Sequence, residues 1–358
     1  MTQLQRFQEV LAVSEFDAAI ISSEINQRYL SDFDFSDGYL LISPHKAYLL
    51  TDFRYIEAAL ASVSGFEVIK PDVKMSEALS ELILSNGFHS IAIEENSLSC
   101  SDFAGFKEKL PKECNILYGA SELLNTQRAV KLPYEIERIE KAQQITDKAF
   151  EHILSFISPS VTEKEVALEL EFFMRRNGAE ATAFSTIAVS GCASSLPHGA
   201  PSDITLRKGF LTMDFGAKYN GYCSDMTRTV IIGKADNDMK KIYQTVLSAQ
   251  LAALEQIRAG ILCREADSIA RSIISDAGFG SAFGHSLGHG VGMYIHERPS
   301  LSPKAAADSR LCFGNVVTVE PGIYLDGKYG CRIEDMIAVK NDGSIHNFTN
   351  SPKELIII

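Results

Sequence analysis

The sequence predicts two domains, an α/β unit over residues 1–124 and an α+β unit over 125–358. Three observations predict this. The chain has 358 residues, and at roughly 100–200 residues per domain it divides into two or three. Strand-length and helix-length apolar segments alternate through its first third. A break near 120–133 ends the alternation, and Pro133 then opens a long helical pattern.

The elements follow in order. Leu4 to Val13 has helical spacing, and Asp17 to Ser22 is an apolar run of strand length. Residues 39–43 and 47–51 read as a strand pair joined by the turn Pro44-His45-Lys46. Phe53 to Val63 is helical, Phe66 to Ile69 a strand, and Met75 to Leu84 a helix closed by Asn86-Gly87. Ser90 to Glu94 is a further strand. Alternation with one hairpin predicts a mixed sheet with helices on its faces.

In the second unit, Ile136, Ile139, Ala142, Ile145, Ala149, Ile153 and Phe156 recur at helical spacing after Pro133. Thr162-Glu-Lys-Glu165 is a capping-box pattern, and its helix ends at Asn177-Gly178. Helical stretches cover about 236–259 and 264–277. Strand-like blocks lie at 184–190, 209–217, 222–232, 315–320 and 331–340. This predicts an antiparallel-rich sheet backed by four helices.

Composition narrows the function. Net charge is −12, from 46 acidic and 34 basic residues. That balance argues against nucleic acid and anionic membranes as partners. No apolar run approaches a bilayer span, and the first residues lack the pattern of a secretory signal. The seven cysteines include no CxxC pair. A disulfide framework and a cysteine zinc site are both disfavoured, and a reducing cytoplasm is expected.

Residues 211–228 read as a hairpin turning within Lys218 to Gly221. If Tyr219-Asn220 is the loop, Asp214 and Asp225 lie opposite one another. If Asn220-Gly221 is the loop, Asp214 faces Thr227 and Asp225 is its diagonal neighbour. Either register puts both carboxylates on one face, within about 8 Å. A divalent cation is the simplest compensation for their repulsion, although two solvated carboxylates share the pattern. Further on, one strand ends in Glu320 and another carries Glu334. A two-residue Asp326-Gly327 turn would put them on opposite faces, whereas a three-residue loop or a bulge brings them together. A third block, His285 to Pro299, has glycines at 288, 290 and 292 and Gly284 just before it, which would let backbone and imidazole approach a ligand. It has neither phosphate-loop nor dinucleotide spacing. Four carboxylates and an imidazole suit hard or borderline ions such as Mn²⁺ or Co²⁺.

In order and context, these residues resemble the pita-bread metallopeptidases: aminopeptidase P, prolidase and methionine aminopeptidase. Asn26-Gln-Arg-Tyr-Leu30 and Thr51-Asp-Phe-Arg-Tyr55 are similar to motifs of the N-terminal domain that aminopeptidase P and prolidase share. Arg128-Ala-Val-Lys-Leu-Pro-Tyr-Glu135 resembles the entry to the family's catalytic domain. The resemblance implies a creatinase-like domain at 1–124 and a pita-bread catalytic domain at 125–358. It implies two divalent cations, Mn²⁺ foremost and Co²⁺ or Zn²⁺ after it. Asp214 would hold one, His289 and Glu320 the other, and Asp225 and Glu334 would bridge them. Glu320 would also move the proton. His198, His285 and His296 would line the substrate site, and Arg332 would stand behind the bridging glutamate. The implied activity is hydrolysis of Xaa-Pro bonds at peptide N-termini, with strict dipeptide cleavage as the alternative, by a cytoplasmic homodimer.

Four positions bear on detail. Asp32 stands where relatives commonly have glycine. Ser286 follows His285 where some bacterial prolidases have arginine, and Arg298 is another candidate cation for a substrate carboxylate. Cys223, two positions before Asp225, would share its face in a regular strand but is expected to take no part. Relatives such as creatinase have lost metal ligands, whereas all five positions here carry competent side chains.

Overall fold

In the computed structural model, all 358 residues are described. They form two compact units, Met1–Gln127 and Arg128–Ile358.

The first unit contains α1 (Gln3–Ala12), β1 (Ala18–Ile21), α2 (Glu24–Ser31), β2 (Tyr39–Ile42), β3 (Ala47–Leu50) and α3 (Ile56–Ser62). These are followed by β4 (Glu67–Ile69), α4 (Met75–Asn86), β5 (Ser90–Ile93), α5 (Cys100–Lys109), β6 (Asn115–Tyr118) and α6 (Ala120–Ala129). The sheet order is β4-β3-β2-β1-β5-β6. Strand β2 pairs antiparallel with β1 and with its hairpin partner β3, and the crossovers to β4, β5 and β6 pair parallel. This is the expected mixed sheet.

Several elements differ from the sequence reading. The supposed break at 120–133 contains α6, which runs to Ala129. Its start is capped from a distance: Glu95 Oε2 accepts from the amides of Gly119 and Ser121. No local signal encodes such a cap. Residues 53–55 are a turn, so the helix read from Phe53 starts at Ile56. Helices α2 and α5 and strand β6 were not anticipated. Asp32 is the left-handed cap of α2, at φ 54°. Glycine adopts that conformation without strain, and aspartate is among the few residues that tolerate it.

The second unit begins with α7 (Pro133–Phe156) and α8 (Glu163–Arg176). Strands β7 (Ala181–Thr182), β8 (Ile187–Ser190), β9 (Gly209–Phe215), β10 (Ala217–Tyr219), β11 (Tyr222–Cys223) and β12 (Met226–Ile232) follow. Then come α9 (Asn237–Gln256), α10 (Cys263–Asp276), β13 (Gly288–Gly290), β14 (Glu297–Leu301) and β15 (Val316–Val319). The unit ends with β16 (Gly322–Leu325), β17 (Tyr329–Arg332), β18 (Asp335–Val339) and β19 (Ile345–Asn347). The predicted capping box is present at Thr162 and Glu165. All strand ladders are antiparallel, in sheets β12-β9-β8, β11-β10-β7, β14-β13-β15-β18-β19 and β16-β17.

The core has two parts. Ile145, Ala149, Phe150, Val166 and Leu170 pack on Met213, Phe215 and Val230. Val246, Ala249, Ala266 and Ala270 pack on Val317, Val319, Ile337 and Val339. Each helix pair thus buries its apolar stripe on one face of its own sheet.

Candidate active site

The 211–228 hairpin adopts the second register. Asp214 pairs with Thr227, and Tyr219 pairs with Tyr222 around an Asn220-Gly221 loop. Both loop residues have positive φ, 44° and 85°, as a two-residue turn of this hand requires. The blocks read as continuous strands at 209–217 and 222–232 are each interrupted beside the ligand candidates, at Gly216 and at Ser224-Asp225. Gly216 packs so tightly that a Cβ there would collide with the Ser224 carbonyl oxygen.

The later hairpin resolves the face of the glutamates. Leu325 pairs with Tyr329, so the loop is three residues long, Asp326-Gly327-Lys328. The pairs Gly322–Arg332 and Val319–Asp335 keep that register through both ladders. Glu320 therefore lies opposite Glu334 without a bulge.

Two glycines of the histidine block serve the sheet. A Cβ at Gly288 would strike the Thr318 carbonyl, and one at Gly290 the Arg298 carbonyl. Both admit a neighbouring strand, and Gly288 also lines the cleft described below.

All nine predicted site residues line one cleft of about 580 Å³. One ligand atom each from Asp225, His289 and Glu334 lies within 4.8 Å of the other two. His289 Nε2 is 3.5 Å from Asp225 Oδ2 and 3.4 Å from Glu320 Oε1. Its Nδ1 sits 3.1 Å from the Gly290 carbonyl oxygen, which selects the tautomer that leaves Nε2 as a lone-pair donor. Arg332 Nη2 donates to Asp214 Oδ2 at 2.7 Å, and Arg332 Nε to Thr227 Oγ1 at 2.9 Å. The His289 and His296 rings meet edge to face, 4.3 Å apart. His198 is exposed on the cleft wall beside Pro197, whose carbonyl accepts from Arg332 Nη1 at 3.5 Å.

Electrostatics reflect the crowding. Burial, then the charges of Glu334, Asp214 and Glu320, pushes the Asp225 carboxyl well above its ordinary range. Burial followed by Glu320 and Asp214 does the same to Glu334. Burial pushes Glu320 up to about 8. Burial lowers His289 and His285 to about 4, with His296 and Arg332 respectively adding to the effect. Burial and His198 also lower His296. These carboxylates repel, the imidazoles are held neutral, and Asp214 Oδ1 is buried with no hydrogen-bond partner. An oxygen-rich donor set with an orphaned carboxylate oxygen fits divalent cations, which would relieve all three conditions.

Some of the machinery was not anticipated. Tyr324 OH accepts from Arg332 Nη1 at 2.6 Å and lies 3.0 Å from His285 Nε2, joining those two residues. Its signal was Gly330, its cross-strand partner, which leaves room for the ring. Thr318 Oγ1 receives the His289 amide at 3.0 Å and donates to Glu320 Oε1 at 3.1 Å. Cys223 turns away from the cluster. Its thiol donates to the Met293 carbonyl at 3.6 Å, and burial pushes it up to about 12. The strand interruption at Ser224-Asp225 removes the regular alternation that would have placed it beside Asp225.

Comparison with known proteins agrees with this geometry. Residues 137–341 match metallopeptidase family M24, and residues 3–130 match the creatinase/prolidase N-terminal domain. An Xaa-Pro dipeptidase of Pyrococcus horikoshii is 39% identical over 99% of this chain and 98% of its own. The solved structure of an Xaa-Pro dipeptidase from Bacillus anthracis matches with TM-score 0.95 at 41% identity, covering 99% of each chain. That of an X-Pro aminopeptidase from Thermotoga maritima matches with TM-score 0.91 at 37% identity, covering 99% of this chain and 100% of its own. With an M24 match over more than half its length and relatives aligned nearly end to end, the chain belongs to metallopeptidase family M24 and carries the creatinase/prolidase N-terminal domain.

Proposed function

We propose that the protein is a dinuclear-metal exopeptidase that hydrolyses the Xaa-Pro bond at the N-terminus of peptides. The observation that carries this is the convergence of Asp214, Asp225, His289, Glu320 and Glu334 in one cleft, with one carboxylate oxygen orphaned. Asp214 would hold one cation, His289 and Glu320 the other, and Asp225 with Glu334 both. Bound cations supply Lewis acidity and make water nucleophilic near neutral pH.

The chain's residues do the rest. Glu320 takes the proton of the attacking water and passes it to the departing prolyl nitrogen. That nitrogen belongs to a tertiary amide with no N–H of its own. His285 and His296 stabilise the oxyanion, and His198 closes on the substrate from the cleft wall. Arg332 holds Asp214 and Tyr324 in place.

We favour aminopeptidase over strict dipeptidase activity. A dipeptidase needs a cation for the carboxylate just beyond proline. Arg332 is the one arginine or lysine on the cleft lining, and it is already engaged by Asp214, Thr227 and Tyr324. Ser286 is on the lining, and Arg298 is not. The names of the relatives include both activities. We carry the cytoplasmic homodimer and Mn²⁺ forward as parts of the same proposal. The test compares kcat/KM for an Xaa-Pro dipeptide and for the same peptide extended by two residues, with Mn²⁺ added to metal-free protein. Comparable values are expected; a dipeptide preference of about a hundredfold, roughly 2.7 kcal/mol, would overturn the aminopeptidase reading. Absence of cleavage with Mn²⁺, Co²⁺ and Zn²⁺ would overturn the whole.

A further inference from the structure

The entry motif Arg128 to Glu135 supplies none of the cleft's lining, yet its charged side chains are buried. Glu135 Oε1 accepts from Tyr222 OH at 2.9 Å, beside the turn of the Asp214–Asp225 hairpin. Arg128 Nε and Lys131 Nζ grip the two oxygens of Glu297 at 3.2 and 3.1 Å. The three side chains of this triad are 7%, 1% and 2% exposed. Glu297 is the residue after His296. Its Oε1 also accepts from the Tyr294 amide at 3.1 Å, and Arg128 lies over the Tyr294 ring, 4.8 Å from its centre. The carboxylate fills the space where Gly292 lacks a Cβ. On its other side the same loop is tied to the hairpin, Cys223 N donating to Gly292 O at 2.8 Å.

Buried ion triads are a poor device for stability, because apolar replacements are commonly neutral or better. What this one does specifically is fix the loop 291–296 that presents His296. We propose that Glu297, gripped by Arg128 and Lys131, is a positioning residue that sets the place of His296 over the carboxylate cluster. This rests on the assignment of His296 to the substrate made above.

The test uses full-length, Mn²⁺-loaded protein and an Xaa-Pro peptide. Lys131→Met leaves a balanced Arg128–Glu297 pair and is the conservative variant; Glu297→Gln is the severe one. Each should lower kcat about tenfold or more while KM stays within about twofold, since misplacement of a catalytic group by about 1 Å can cost that much. In the His296→Ala background each should cost less than about twofold, because coupled residues are non-additive. Equal losses in both backgrounds, or no loss in either, would overturn the proposal. Amide hydrogen exchange across 291–296 gives a readout independent of turnover. It should accelerate about tenfold in Lys131→Met while residues 209–232 keep their protection. Unchanged exchange would overturn the positioning role. If the unmodified protein cleaves no Xaa-Pro peptide, the assigned activity falls, and exchange still decides whether the triad fixes the loop.

Discussion

Thr227 Oγ1 donates to Glu334 Oε2 at 2.7 Å, one of several bonds that join the two hairpins carrying the four acidic side chains. Thr227 is also the cross-strand partner of Asp214 and the acceptor for Arg332 Nε. Thr227→Val keeps the shape and removes the hydroxyl. It should strand a buried guanidinium N–H and cost about 1–3 kcal/mol in stability. Urea unfolding would measure this, and Thr227→Ser should recover most of the loss. An unchanged midpoint in Thr227→Val would remove the hydroxyl from the account.

Ligand and substrate roles separate by mutation. Asp225→Ala and Glu334→Ala should lose bound metal and activity together, since each would act on both cations. His296→Ala should keep its metal and lose about 10²–10³ in rate, as when one oxyanion donor is deleted. Elemental analysis beside turnover checks both. A Glu334→Ala protein with two tight metals and normal turnover would sink the dinuclear assignment.

The pH dependence of the metal-free protein has a defined sign. Glu320 is raised from 4.5 to about 8, so the native chain keeps a proton that the unfolded chain releases. Its contribution to stability is full below the unfolded value and is lost as pH rises through the folded one. Asp225 and Glu334 act in the same sense. His285 and His289, lowered from 6.5 to about 4, act oppositely, and their contribution is lost as pH falls from 6.5 towards 4. Above pH 6.5 the carboxylates act alone. Chelator-treated protein should therefore have a lower Tm at pH 8 than at pH 6.5, and Mn²⁺ should raise Tm more at pH 8. A Tm rising across that window without metal would contradict the carboxylate shifts.

Gly216→Ala tests the hairpin itself. Its new methyl would meet the Ser224 carbonyl, forcing the strands apart between Asp214 and Asp225. About 1–3 kcal/mol of destabilisation is expected, with weakened Mn²⁺ affinity, measured by unfolding and by metal titration. Normal affinity in a stable variant would show that the register has slack.

Much of the site was legible because its residues lie in hairpins with short turns. A turn within Lys218 to Gly221 admits two registers on paper, and both put Asp214 and Asp225 on one face. The glutamates were less determined. Their face depends on whether Lys328 belongs to the loop, and periodicity cannot say. Parts of the fold stayed hidden where distant groups decide local structure. Helix α6 starts on the carboxylate of Glu95, and Tyr324 matters because Arg332 and His285 reach its hydroxyl. Cys223 stands apart as expected, although for a reason the sequence hides: face alternation fails where the strand is broken at Ser224-Asp225.

The partners in this centre are far apart along the chain: Arg332 and Asp214 by 118 residues, Glu334 and Thr227 by 107. Asp214 and Asp225 emerge from the ribosome well before Glu334, with helices α9 and α10 still to be made. An ion met at that stage would find two carboxylates and none of the later ligand candidates, His289, Glu320 and Glu334, so the full ligand set exists only once the second hairpin has been made and folded.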